Sequence, residues 1–317
     1  MLPGKASVVE AADRIAPYIH RTPVLTCSTI NRMFGGEIFF KCENFQKAGA
    51  FKSRGATNAV FQLSDTEIQR GVATHSSGNH AGALALAASR RGIKANIVMP
   101  ENSSRIKILA VESYGGLITR CKPTLAAREE TLKEVISKTG AVEIHPYNDL
   151  RIIAGQATAA KEMIEEVNDL DLIMAPVGGG GLLSGTALSA RYFGKHIRVI
   201  AAEPAGADDA FRSFTSGTFI PSVDPRTIAD GLRTSLGSLT FPIIMENVDD
   251  IVTVSEEGII EAMRLIWERM KIIVEPSSAV PLAAIIENKL NISGKRTGII
   301  LSGGNVDLEN LPFKTTV

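Results

Sequence analysis

Cysteine is scarce in this chain of 317 residues: Cys27, Cys42 and Cys121 are the only three, far apart and never in a CxxC pair. That excludes a disulfide framework and a zinc site of the usual spacing, and it fits a reducing compartment. Aromatic residues make up 5% with a single tryptophan, and no run of about 18 apolar residues occurs, so no membrane-spanning helix is predicted. The opening segment MLPGKASVVEAADR carries charges where a secretory signal needs an apolar run. Excess charge of either sign is missing as well. Thirty-four basic residues balance thirty-four acidic ones, with no Lys/Arg-rich run to follow a nucleic-acid backbone or an anionic membrane. A cytoplasmic protein with neither nucleic-acid nor membrane partners is the expectation. No internal repeat, low-complexity tract or Pro/Gly/Ser linker divides the chain.

What the chain does contain is a rhythm, within a composition that is 44% hydrophobic. Ser7 is placed to cap a first helix running to about residue 19. Strand-like apolar runs at 38–42, 72–75, 95–99, 117–120, 141–144, 172–177, 197–202, 251–254 and 298–302 then follow. Between them lie helical spacings near 53–63, 79–91, 103–114, 124–139, 152–167, 182–193, 256–270 and 278–288. Gly92, Gly115 and Gly140 follow three of these helices, where a left-handed cap favours glycine. The segment 204–225 reads as loop with one short helix near 208–214. Such alternation predicts an α/β fold, because parallel strands need crossovers rather than hairpins.

Five segments carry chemistry. In KCENFQKAGAFKSRGA, Lys52 follows a small-residue turn and stands beside Phe51, with Lys47 and Arg54 close in sequence. Neighbouring cations and desolvation would both lower its pKa and suit it to a Schiff base; a solvated basic turn is the ordinary alternative. The strand LIMAPV runs into Gly178, Gly179, Gly180 and Gly181 and then a helix, so unobstructed backbone N–H groups and the helix dipole favour a phosphate. A flexible turn is the bland alternative. A nicotinamide-binding unit is the sharper one, but the G-x-G-x-x-G register finds Ser184 or Leu183 in the third glycine's place. Ser76, Ser77, Asn79 and His80 lie in a second helix start, THSSGNHAG, suited to a carboxylate or to plain capping. Glu203, the carbonyl of Ala207 and Asp209 fall within EPAGADD, a hard-cation arrangement of magnesium or calcium type or else a solvated acidic loop. LSGGN, with Ser302, again ends a strand in small polar residues. The five histidines show no metal-ligand spacing or nucleophilic triad.

Taken together and in order, KAGAFKSRGA, THSSGNHAG, PVGGGGLLSG, EPAGADD and LSGGN resemble the serine/threonine dehydratase and serine racemase family of pyridoxal-phosphate enzymes, fold type II. The resemblance covers about residues 5–313. It implies an α/β fold of two open, mostly parallel sheets flanked by helices, similar to the tryptophan synthase β chain. Residues 1–70 plus 149–317 would form the large cofactor-binding domain, and 71–148 a small mobile one. It further implies that Lys52 bonds the cofactor aldehyde, that Phe51 lies against the ring, and that Asn79 bonds the ring hydroxyl. Gly178 to Gly181 would hold the phosphate and Ser302 the pyridine nitrogen. Ser76, Ser77, Asn79 and His80 would bind the substrate, with Ser77 as a second acid/base. Glu203, Ala207 and Asp209 would hold a divalent cation, Mg, Ca or Mn.

The implied reaction is β-elimination: L-threonine would give 2-oxobutanoate and L-serine pyruvate, each with ammonia. Serine at position 77, where many dehydratases of the family have alanine, implies serine racemase activity beside the lyase. Arg128 resembles a racemase arginine that closes over a second carboxylate, which keeps 3-hydroxyaspartate open as a substrate, and Pro146-Tyr147-Asn148 departs from close relatives in a way that bears on substrate size. The chain ends soon after Phe313, from which no C-terminal regulatory domain and no feedback by isoleucine are expected. A homodimer is implied; a nucleotide effector finds no support. The rival readings are a nicotinamide-dependent oxidoreductase and a non-catalytic amino-acid sensor, and the sensor predicts loss of the lysine that is present here.

Overall fold

Among the described residues the chain forms ten strands, nine of them on the apolar runs: β1 (Val24–Thr26), β2 (Glu37–Cys42), β3 (Val72–His75), β4 (Ala95–Pro100), β5 (Leu117–Cys121), β6 (Val142–Glu143), β7 (Leu172–Pro176), β8 (Arg198–Pro204), β9 (Asp250–Val254) and β10 (Arg296–Leu301). The computed structural model describes residues 2–313, so residues 1 and 314–317 of the expected large domain lie outside the described residues. One sheet runs β1-β2-β10-β7-β8-β9 and the other β5-β4-β3-β6. Only β1 is antiparallel to its neighbour. The chain is thus an α/β protein, as its rhythm predicted, with the two mostly parallel sheets that the resemblance implied.

Both faces of the larger sheet are covered. Side chains alternate between faces along a strand, so Leu172 and Met174 of β7 join the core under the helices Glu256–Met270 and Pro276–Ile286. Ile173 and Ala175 join the opposite core, under Leu150–Glu166 and Gly181–Phe193. The smaller sheet packs Val72, Ile97 and Met99 against the alanine-rich helix Asn79–Arg91.

Glycine decides how closely the helices that carry the site approach one another. A Cβ at Gly155 would stand 2.6 Å from Gly55 Cα, and one at Gly185 the same distance from the Ala157 nitrogen. The helices Lys52–Phe61, Leu150–Glu166 and Gly181–Phe193 therefore meet backbone to backbone, which fixes the start of the helix that bears Lys52.

Several boundaries differ from the sequence reading. The first helix is Lys5–Ile15 with Gly4 at its cap, so Ser7 lies inside it and caps nothing. Strand β1 and the helices Ser28–Phe34, Asp65–Arg70 and Thr240–Asn247 were not expected. Each is three to eight residues long, too short for periodicity to register. Gly92, Gly115 and Gly140 take φ of 71°, 77° and 68°, the left-handed values expected of them. Among the described residues, no helix is long and apolar enough to cross a membrane.

Candidate active site

In parallel sheets ligands gather beyond the carboxyl ends of the strands, where the order of connections reverses. The ends of β2, β10, β7 and β8 lead into the Lys52 turn, Ser302, the glycine turn and Glu203–Asp209 respectively; β3 leads into Ser76–His80 and β6 into His145–Asn148. Segments far apart in sequence are tied directly. The Phe51 N–H donates to the Ser302 carbonyl at 3.0 Å, and the Gly304 N–H to the Gly49 carbonyl at 2.9 Å.

Lys52 Nζ donates to the Pro146 carbonyl at 2.7 Å and lies 5.1 Å from the Phe51 ring centroid. Desolvation pushes its pKa down to about 8, and the Glu275 carboxylate opposes the fall. Arg54 contributes nothing to that lowering, contrary to the basic-turn argument. Its guanidinium is buried and spent on Glu43 (Nε 2.7 Å) and Glu162 (Nη1 2.7 Å), so its charge is already answered.

Gly178, Gly179 and Gly180 are buried, yet their N–H groups donate to no protein acceptor among the described residues. A Cβ at position 178 would meet Leu232 Cα at 2.8 Å, and one at 179 the Tyr147 ring at 2.3 Å. Gly180 has φ of 83° and is boxed in by Ile244, Leu236 and Thr240. No side chain fits anywhere on the turn, and unpartnered N–H groups at the start of a 13-residue helix fit an anionic group.

Asn79 opens the helix Asn79–Arg91, but Gly78 holds the cap position with no side-chain cap, so neither Ser77 nor Asn79 is a capping residue. The Asn79 amide is oriented from two sides. Its Nδ2 donates to Glu275 at 2.8 and 3.1 Å, and its Oδ1 accepts from Asn305 Nδ2 at 3.0 Å. His80 Nε2 donates to the Ile144 carbonyl at 3.1 Å, and its buried Nδ1 has no partner. Burial pushes its pKa down to about 3, so the ring has no further proton to offer and only the backbone N–H of His80 can serve an anion. Ser76 Oγ accepts from the Gly78 N–H at 3.3 Å, and Ser77 is half-buried beside it.

Ser302 and Ser278 share a hydrogen bond at 3.1 Å. Ser278 gives its one proton to the Gly303 carbonyl at 2.6 Å, so the proton between the two hydroxyls is that of Ser302. At the end of β8, Glu203 accepts from the N–H groups of Ala210 (3.0 Å) and Phe211 (2.8 Å), while both buried oxygens of Asp209 lack a partner. Burial raises Glu203 to about 9 and Asp209 to about 6. Among the described residues no three His, Cys, Asp or Glu side chains gather closely enough to hold a metal. A cation would therefore rest on these two carboxylates and the Ala207 carbonyl.

Glu275, Ser278 and His145 escaped the sequence reading. Glu275 precedes Pro276 at the start of a helix, a position that looks like ordinary capping. Nothing local says that its carboxylate turns inward, where burial lifts it to about 7.

The family described as pyridoxal-phosphate dependent enzyme matches residues 15–303. A beta-hydroxyaspartate dehydratase from Paracoccus denitrificans is 51% identical over 312 residues, covering 98% of this chain and 99% of the relative. The crystal structure of serine racemase from Dictyostelium discoideum, 52% identical, superposes with a TM-score of 0.92 over 96% of this chain and 99% of that one. The crystal structure of a threonine deaminase from T.th., 41% identical, gives 0.91 over 96% and 99%. A match over most of the chain, with relatives this similar along their whole length, makes the protein a member of the pyridoxal-phosphate dependent enzyme family, fold type II.

Proposed function

We propose that the chain is an ammonia-lyase that eliminates the β-hydroxyl of L-threonine and L-serine, giving a 2-oxo acid and ammonia, with serine racemisation as a second outcome. The observation that carries this reading is the Lys52 amine, half-buried, depressed to about 8 by desolvation and held on a carbonyl one residue before the ring that covers the glycine turn.

The residues fit pyridoxal phosphate. Lys52 would bond it, Gly178–Gly181 would take its phosphate on unpartnered N–H groups, and Phe51, Asn79 and Ser302 would face its ring. When bound, the cofactor supplies an aldehyde for the lysine and a ring that draws electrons from the substrate α-carbon. The chain's own groups do the rest. N–H groups at the start of the helix Asn79–Arg91, with Ser76 and Ser77, hold the substrate carboxylate. Lys52, whose pKa of about 8 leaves part of the amine unprotonated, takes the α-proton once displaced. Ser302 offers a hydroxyl where an acid would keep a ring nitrogen protonated, which leaves expulsion of the β-hydroxyl competitive. Ser77 supplies a second acid/base, and groups on two faces of the α-carbon permit inversion.

A second substrate is favoured by one observation. Arg128 Nε is buried without a partner on the wall that includes His75 and Cys121, and a guanidinium left unpaired suits a second carboxylate, as in 3-hydroxyaspartate. We further propose that Glu203, Ala207 and Asp209 hold a divalent cation, that residues 71–148 form a small mobile domain against 1–70 plus 149–317, and that the protein works as a cytoplasmic homodimer.

The test is direct. The purified protein should be yellow, lose its visible band on borohydride reduction, and carry the cofactor mass on the Lys52 peptide. Assays of 2-oxo acid and D-serine formation on serine, threonine and hydroxyaspartate then rank the outcomes. Ser77→Ala should abolish D-serine formation and spare elimination. A colourless protein, or label on another lysine, overturns the assignment; racemisation undiminished in the variant removes Ser77 from it.

A further inference from the structure

The four residues His145–Asn148 touch the Lys52 amine, the glycine turn and the segment packed behind it. The Pro146 carbonyl accepts from Lys52. Tyr147 lies against Gly179 and Gly181, where an added Cβ would come within 2.3 and 2.9 Å of it. Asn148 accepts from the Leu239 N–H at 2.8 Å and donates to Ser238 Oγ at 3.1 Å, which joins the turn to the segment packed behind the glycines.

One imidazole holds the turn itself. His145 Nδ1 accepts from the Asn148 N–H at 2.9 Å and from the Tyr147 N–H at 3.3 Å. The Tyr147 ring stands edge-on to it, with centroids 4.6 Å apart and planes at 88°. A ring nitrogen that accepts two N–H groups must keep its lone pair, so the proton sits on Nε2 and the ring is neutral. Burial, followed by the nearby His75 and Lys52, keeps it so by pushing the pKa down to about 4.

We propose that His145 is a positioning residue: its Nδ1 lone pair shapes the 146–148 turn, and through the Pro146 carbonyl and the Tyr147 ring it sets where the Lys52 amine stands and how deep the glycine cradle is. The inference rests on the reading of Lys52 as the cofactor lysine. It assigns His145 no proton transfer.

Three full-length variants, prepared with pyridoxal phosphate, separate this role from mere packing. An asparagine Oδ1 stands as many bonds from Cα as a histidine Nδ1, whereas a glutamine Oε1 stands one bond farther. His145→Asn should therefore retain the clamp, and His145→Gln and His145→Ala should lose it. The readouts are cofactor retained after gel filtration, cofactor fixed to the Lys52 peptide by borohydride, and amide exchange at Asn148. The asparagine variant should stay within about threefold of the parent, and the other two should lose roughly tenfold to thirtyfold in fixed cofactor, the loss of two ordinary hydrogen bonds. The fall in activity should appear in kcat more than in KM. Equal behaviour of the asparagine and glutamine variants, folded or not, overturns the proposal. If the parent fixes no cofactor at Lys52, the lysine assignment fails instead; Asn148 exchange still reports whether His145 holds the turn.

Discussion

A carboxylate beside a desolvated amine holds on to that amine's proton, and Glu275 does so for Lys52. Burial lowers the lysine to about 8 and raises the acid to about 7, and the acid's charge holds the lysine up. Glu275→Gln removes that charge, so the Lys52 pKa should fall below 8. The neutral fraction of an amine grows as pH climbs through its pKa, so the rise in reactivity should come at lower pH than in the parent. Initial rates of borohydride-trapped pyridoxal phosphate uptake between about pH 6 and 9 measure it. An unchanged or alkaline-shifted profile would falsify the coupling. The sequence marked Lys52 by its small-residue turn and its aromatic neighbour. Of the two causes read there, desolvation holds and the neighbouring cation does not, because Arg54 looks like a free cation until Glu43 and Glu162 are seen around it.

Elements that make many local contacts were legible, and those held by distant ones were not. The helices Asn79–Arg91 and Leu125–Thr139 fall within a residue of their expected bounds, since each ends at a left-handed glycine and presents apolar residues at helical spacing. Thr240–Asn247 contains Pro242 and has no such pattern, yet it walls the glycine turn through Thr240 and Ile244. The segment Glu203–Asp209, a strand end followed by a helix start, is the cation site proposed above. Its carboxylates are raised to about 9 and about 6, so a proton must leave when a cation enters. Magnesium affinity should therefore increase from pH 6 to pH 9 with net proton release, measurable by calorimetry in two buffers of different ionisation enthalpy. Affinity that is flat across that range, with no proton released, would remove the two acids from the cation site.

Across the whole molecule, a buried ionic group joins elements that the sequence keeps far apart. Lys41 of β2 and Arg54 share Glu162 at 2.7 Å each, and Arg54 also grips Glu43, with Lys41, Glu43 and Arg54 wholly buried. Breaking such a pair strands the remaining charge, so Arg54→Met should lower unfolding stability by about 3–5 kcal/mol in urea titrations. A loss under about 1 kcal/mol would mean that the group does not hold the lysine helix in place. The amino-acid sequence alone determined the alternation of strands and helices, the parallel sheets, the four-glycine turn and the lysine, because periodicity and turn chemistry are properties of neighbours along the chain. Only the folded molecule decided that Asn79 meets Glu275, 196 residues away, and that a histidine with no telling spacing shapes the turn beside Lys52. Those contacts follow from where strand ends meet in space, and proton positions follow from burial, neither of which is written in any local stretch of residues.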